Sequence, residues 1–460
     1  MSRLLRERAR PERVRAHPNA PWFAVAAVCV GSFMGQLDAS IVTLIFPALQ
    51  RGFHAPLAAV QWVALVYLLT VIALLAAVGR LADVVGRKLV YVRGFVVFTA
   101  ASAACGFAPS LPVLLACRVV QAAGAAMLQA NSVALVVGSV PRRRARAALG
   151  VQAAAQSLGL AFGPLVGGLI VGLAGWRWVF WINVPVGLVA VVAGYYLLPR
   201  TRERAHRDAI DLPGLLLLAY AASGLLLAVS AASGLGWPAW SIAVLLITAA
   251  ASAAGTLRRE RRAAAPLIPP AVMGDIAVTR GLAGALCGYL VLFGPLVLVP
   301  QVLLTTGLSE PHAGAVLSAL PAGFALTAIT GDRLLPRRWG NRPRCLAGAL
   351  TAAAATGLAA AAPTEVGPLV ICLAVLGAGL GVFVPANNAA VMGAVPVRSS
   401  GTAGGLISMA RGVGTALGIA VVTLALFSTG GPGVAGARVA LAGLAGAAVI
   451  AALTAVRRDR

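Results

Sequence analysis

Charge is what this chain has least of. Only 11% of its 460 residues are charged, against about 25% in ordinary soluble chains. Acids are scarcest: 13 Asp and Glu stand against 37 Lys and Arg, and Lys88 is the sole lysine. With 60% hydrophobic residues, a soluble globular fold is excluded. Histidine is sparse and scattered (His17, His54, His206, His312), so no metal cluster is visible. The six cysteines (Cys29, Cys105, Cys117, Cys287, Cys345, Cys372) lie in or beside apolar runs without paired spacing. They read as small buried apolar residues. There is no P-loop and no H-E-x-x-H, so neither ATP hydrolysis nor metal-assisted catalysis has a site. These absences point away from an enzyme and from any bound cofactor or metal. The chain also shows no cleavable signal peptide: its first apolar run, Trp22 to Leu49, is too long for an h-region.

What is present is apolar runs long enough to cross a hydrocarbon core of roughly 30 Å as helices. Fourteen are expected. The first six cover 22–49, 57–79, 89–108, 112–137, 147–172 and 178–198. Two follow at 212–232 and 239–257. The last six cover 279–305, 313–331, 343–362, 366–390, 401–427 and 436–456. The net charge of +24 is not a nucleic-acid footprint, because the arginines sit in short clusters between these runs. Every second connection is basic: Arg80 to Arg93, Arg142 to Arg146, Arg200 to Arg207, Arg258 to Arg262 and Arg333 to Arg344. The alternate connections hold mainly Arg51, Arg177, Glu310 and Glu365. Residues 1–21 form a basic tail, and Arg457, Arg458 and Arg460 close the chain. Under the positive-inside rule this pattern places both termini in the cytoplasm of a multi-pass protein of the cytoplasmic membrane.

The first hinge reads Gly79-Arg80-Leu81-Ala82-Asp83-Val84-Val85-Gly86-Arg87-Lys88. Gly79 and Gly86 permit tight turns there. Asp83 can cap or neutralise a helix N-terminus, and Arg87 and Lys88 mark the cytoplasmic side. The stretch resembles the signature loop of the major facilitator superfamily, G-x-L-a-D-r-x-G-r-k. A weaker echo, Gly331-Asp332-Arg333 followed by Gly340-Asn341-Arg342, sits at the equivalent place among the last six runs. The resemblance implies an all-α polytopic fold of two six-helix halves with two inserted central helices. The divisions are then a tail at 1–21, bundles at 22–198 and 279–460, and a two-helix insert at 199–278.

Asp38 is the only acid well inside a predicted helix. A carboxylate at membrane depth is costly unless it faces a cavity or a partner, so it marks a functional site. Its segment, Leu37-Asp38-Ala39-Ser40 through Pro47, resembles the helix-1 motif of the 14-helix drug/proton antiporters. Ser40, Thr43 and Ile45 depart from that pattern. Arg118 and Gln121 share a face in the fourth predicted helix. That face must point inward, since a lipid-facing arginine is costly. Their segment resembles the R-x-x-Q-G-x-G motif, with Ala122 in place of glycine. The resemblance implies a part in proton transfer, with Arg118 acting as electrostatic partner to Asp38.

Gly159, Gly163 and Gly167 recur every four residues, with Pro164 and Gly168 between and after them. One face of the fifth predicted helix is thus bare, and another helix can approach closely. The string matches the superfamily's antiporter motif and implies exchange, with this helix as the rocking interface. Gln152 and Gln156 extend the face as a polar stripe. Trp176 to Gly187 and Asp211 to Gly214 resemble further segments of the same subfamily and read as structural. Gln36, Asn387, Asn388 and Arg411 are further candidates to line a cavity. Asp275 and Asp332, at helix ends, read as solvated. The implied function is proton-coupled export of a hydrophobic or amphipathic small molecule by a monomer in the bilayer, with the proton gradient as energy source. Walls of its pocket are expected from predicted helices 1, 4, 5, 10 and 11. The alternative is transport of a specific metabolite or sugar on the same fold.

Overall fold

The computed structural model describes residues 7, 9–55, 57–201, 211–232, 237–260, 274–308, 310–336, 338–431 and 433–456. Helices dominate. The long ones are α1 (Ala20–Ile41), α2 (Leu57–Val85), α3 (Arg87–Gly106), α4 (Leu111–Ser139), α5 (Ala145–Ala174) and α6 (Asn183–Leu197). Then come α7 (Leu212–Ala232), α8 (Ala239–Glu260), α9 (Ile276–Thr305), α10 (Ala319–Leu334), α11 (Asn341–Ala361), α12 (Val366–Ala394), α13 (Ser400–Ser428) and α14 (Val434–Val456). Twelve spans among the described residues are long and apolar enough to cross a membrane, and Pro213–Ala228 in α7 is a shorter apolar stretch. The Arg202–Arg207 and Arg261–Arg262 parts of the basic clusters, and the Arg457–Arg460 tail, lie outside the described residues. So do the side chains of Thr43, Pro164 and Gly168.

Sequence pattern explains the ends and the breaks. Proline stands in the first turn of α1 and of α4, where no intrahelical N–H is lost. Asp275, read from sequence as solvated, instead caps α9 by accepting from the Ala277 N–H at 2.7 Å. The first apolar run is not one straight helix: a 3-10 turn, Val42–Ile45, separates α1 from Phe46–Phe53. The hinge also differs from its expected form. Gly79 lies within α2, which runs on to Val85. Gly86 alone makes the turn, at φ 124°, a backbone conformation that favours glycine.

Buried apolar side chains of α9–α14 supply most of one core, which also takes in Ala153 and Ala154 of α5, and those of α1–α6 supply most of two others. Large apolar residues such as Leu173, Val189, Ile247 and Leu453 stay exposed, as lipid-facing positions should. α7 and α8 pair as a hairpin: Ser252 donates to the Leu217 carbonyl at 2.8 Å, and Arg259 pairs with Asp211 at 2.8 Å. The hairpin hangs on the seam between α2 and α13, through Ile72, Ala222, Leu226 and Ala416.

Candidate functional site

Two of the membrane-depth charges singled out in the sequence meet. Arg118 Nη1 donates to Asp38 Oδ2 at 2.7 Å, and each residue is 1% exposed. The second carboxylate oxygen, Oδ1, accepts from Gln121 Nε2 at 3.0 Å and from Asn183 Nδ2 at 3.1 Å. Arg118 also donates to the Val63 carbonyl at 3.1 Å and to Gln121 Oε1 at 2.7 Å. Gln121 donates onward to Ser102 Oγ at 2.7 Å. The Arg118 guanidinium lies 4.1 Å from the centre of the Tyr67 ring and 5.7 Å from that of Phe180, within reach of cation–π attraction. Residues on α1, α2, α3, α4 and α6 therefore enclose one ion pair. Neither charge reaches lipid, and nearly every polar atom has a partner, which a buried pair requires. The Tyr67 hydroxyl is the exception: it is buried without a partner among the described residues.

The pair sits about 27 Å along α1 from Ala20 and about 10 Å into α4 from Leu111. It therefore lies toward the end of the bundle opposite the basic connections. Asn183 corrects the sequence reading, which took its aromatic segment as structural only. The signal was there: an amide at the start of an otherwise apolar helix needs a polar partner.

The glycine stripe of α5 faces α1, not the second set of six helices. A Cβ on Gly163 would meet Ser40 Oγ at 1.8 Å, and one on Gly159 would meet the Phe33 carbonyl oxygen at 2.5 Å. Gln152 joins this seam through Ser32 Oγ at 3.3 Å. Gly167 is buried. Both sides of the stripe itself thus belong to α1–α6. Close approach to α10 occurs earlier on α5, where a Cβ on Gly150 would lie 1.9 Å from the Ala328 carbonyl oxygen.

At the basic end, the opening hinge clasps α13. Asp83 is fully buried and accepts from the Gly401 N–H, the Thr402 N–H and the Thr402 hydroxyl, each at 2.7 Å. It thereby caps α13, a helix N-terminus where a carboxylate is favoured. Arg87 neutralises Asp83 from one turn away, at 3.0 Å, and also donates to the Val397 carbonyl. A Cβ on Gly79 would lie 2.7 Å from the Gly401 carbonyl oxygen, so its glycine serves helix packing rather than a turn. Lys88 turns the other way and donates to the Leu198 carbonyl at the end of α6, at 2.9 Å.

The echo of this hinge works in mirror fashion. Asp332 of α10 pairs with Arg146 of α5 and Arg344 of α11, each at 2.6 Å. Read from sequence as solvated, Asp332 is instead a bridge, 25% exposed. Each hinge acid thus reaches the start of the fifth helix in the opposite set of six.

Between these levels, polar residues of the two sets meet. Arg411 of α13 donates to Gln129 Oε1 of α4, and Ser408 donates to the Gln129 carbonyl at 3.0 Å. Tyr289 of α9 reaches Gln156 of α5 at 3.5 Å. Gln36 is half-buried against α5. Sequence reasoning missed Gln129 and Tyr289, because neither departs from its helix as a charge would. Asn387 donates to the Gly281 carbonyl at 2.8 Å and so joins α12 to α9, while the buried Asn388 Oδ1 has no partner among the described residues.

The sequence model of the Major Facilitator Superfamily matches residues 28–419. The chain belongs to that superfamily. As a member it is a transporter of small molecules in a membrane, rather than an enzyme. Among its relatives, the Riboflavin transporter RibZ of Clostridioides difficile (strain 630) is 29% identical over 401 residues, covering 87% of each chain. The Tetracenomycin C resistance and export protein of Streptomyces glaucescens is 31% identical over 410 residues, covering 89% of this chain and 76% of its own. The crystal structure of the human organic anion transporter MFSD10 (TETRAN) aligns with a TM-score of 0.70 at 15% identity, over 95% of this chain and 99% of that one. At that identity the likeness is one of fold alone. In this member of the superfamily, the match takes in the Asp38–Arg118 pair and both hinge acids, Asp83 and Asp332.

Proposed function

We propose that this transporter exports hydrophobic or amphipathic compounds, drugs or antibiotics among them, in exchange for protons entering the cell. The observation that carries the reading is the Asp38–Arg118 pair, sealed among five helices. A proton-coupled cycle needs a group that is charged in one state and neutral in another. Asp38 meets that need when its contact with Arg118 loosens and water reaches it. Relatives named for resistance and export support the outward direction. The energy source is the proton gradient, with no cofactor, and the working unit is a monomer.

The basic end is taken as cytoplasmic, with both termini there, in the cytoplasmic membrane. The clasp of Asp83 on α13 and the Arg146–Asp332 bridge then close the cytoplasmic side. Transport would open them and close the far side, by rocking α1–α6 against α9–α14 with α7 and α8 as an inserted pair. We further infer that α5 and α7 cross the membrane, giving fourteen spans. Reporter fusions after Arg204 and after Arg262 are expected to read cytoplasmic, and one at Trp237 external. An external reading at Arg262 rules out the inserted pair.

The decisive experiment uses purified protein in liposomes loaded with a pH dye and an imposed proton gradient. Adding a transported compound is expected to dissipate the gradient, and a protonophore is expected to abolish uptake of the compound. Uptake that proceeds equally without a gradient excludes proton coupling. A second reading, a carrier dedicated to one metabolite, draws on the relative named as a riboflavin transporter. It predicts gradient dissipation by one compound and by no chemically unrelated one.

A further inference from the structure

Among the described residues, Arg411 is a deep cation in no ion pair. It stands about 16 Å along α13 from Ser400, close to half the thickness of a hydrocarbon core. It is 8% exposed, so its guanidinium has largely left water. Its hydrogen-bond partners are neutral, Gln129 Oε1 and the Tyr289 hydroxyl, and it lies 5.8 Å from the centre of the Tyr289 ring. Asp38, the single acid at membrane depth among the described residues, is already taken by Arg118. A buried guanidinium has five N–H donors and cannot discharge itself by losing a proton. Leaving it unpaired at this depth is costly, and such residues mark substrate pathways.

The surroundings bring polar and aromatic side chains together from both sets of helices. Gln129 and Gln156 come from α4 and α5, and Tyr289 and Arg411 from α9 and α13. All four therefore converge from both sets of helices, where superfamily substrates bind near the midplane. Tyr289 and Phe293 stack with centroids 6.3 Å apart and planes 29° from parallel. That places a flat apolar surface beside the cation.

We propose that the transported compound carries an acidic group, which pairs with Arg411 while its flat apolar body lies against Tyr289 and Phe293. This deepens the export reading and rests on it, by naming the substrate class as amphipathic organic anions. Arg411 then has its counter-charge only while loaded. Guanidinium geometry favours a carboxylate or sulfonate, which can accept two parallel N–H bonds.

Three probes share one fluorophore and differ in charge: dansylglycine (anionic), dansylamide (neutral) and dansylcadaverine (cationic). Each is titrated onto protein in nanodiscs, with empty nanodiscs subtracted and no proton gradient present. Dansylglycine is expected to bind at least tenfold more tightly than dansylamide, and dansylcadaverine more weakly than either. Arg411→Gln should erase the anion preference, bringing dansylglycine and dansylamide affinities within about twofold of each other in the same variant. Arg411→Lys should restore part of the preference, which separates a charge effect from misfolding. Equal affinities, failure of the anion to bind, or a preference that survives Arg411→Gln overturns the proposal. Because binding is read without a gradient, loss of proton coupling in the liposome assay leaves this result standing, and the two readings fail separately.

Discussion

Asp38→Asn is expected to abolish gradient-driven transport and substrate-induced proton release, with both falling at least 100-fold. Asparagine keeps the volume of the side chain and can still accept from Gln121 or Asn183. It cannot titrate, so the exchanged proton has no carrier. It also leaves Arg118 buried without its partner charge. Removing one member of a buried pair costs about 3–5 kcal/mol, so the single variant should also melt earlier. That confounds a simple loss of function, and the double variant Asp38→Asn/Arg118→Gln resolves it. Neutralising both members removes the uncompensated charge and should recover most of the lost thermal stability. If the pair serves only packing, transport recovers along with stability. If the pair carries the proton, stability returns and coupled transport does not. Asp38→Glu retains a titratable group one methylene further out and should keep partial activity. Wild-type transport with an unchanged pH profile in Asp38→Asn means that the coupling group lies elsewhere.

Asp83→Ala is the second large effect, and it acts on conformation. The variant removes three acceptor contacts at the start of α13 and leaves Arg87 without its carboxylate. Loss of a helix cap costs about 0.5–2 kcal/mol, and each hydrogen bond to a charged group contributes about 1.5–3 kcal/mol. Since about 1.4 kcal/mol is a tenfold change in an equilibrium, the closed basic end should lose at least an order of magnitude in population. The readout is a cysteine at Ala403, which is fully buried in the closed seam, in a background without the six native cysteines. Labelling of that cysteine by a membrane-impermeant maleimide, applied from the basic side, should rise at least tenfold. Arg146→Ala, in a bridge whose members are 23% and 25% exposed, should raise it by only about threefold, because exposed pairs contribute little. Unchanged labelling in Asp83→Ala means that glycine-mediated packing of α2 on α13, not the clasp, holds the seam.

Several properties of this protein could be read from the sequence alone, because they belong to a single run of residues. Hydropathy and length set where helices run. Basic clusters set which connections share a side. The cost of charge at membrane depth picked out Asp38, Arg118 and Arg411 without any knowledge of neighbours. Pairing is a different kind of property. Asp83 clasps a backbone N–H 318 residues away, and no local feature of the hinge names that helix. The glycines of α5 announced a close approach, but a bare face carries no address, and only packing assigned it to α1. Asp332 sits at a helix end where solvation was the simplest reading, and became a bridge because α5 brings Arg146 against it. Asn183 and Ser102 joined the Asp38 network because five helices converge there, and convergence is set by the whole bundle rather than by any one of them. The chemistry of Asp38, Arg118 and Arg411 was therefore legible in advance. Which residues share it was decided by tertiary structure, since helices far apart in the chain meet only when their apolar faces and small-residue seams pack together.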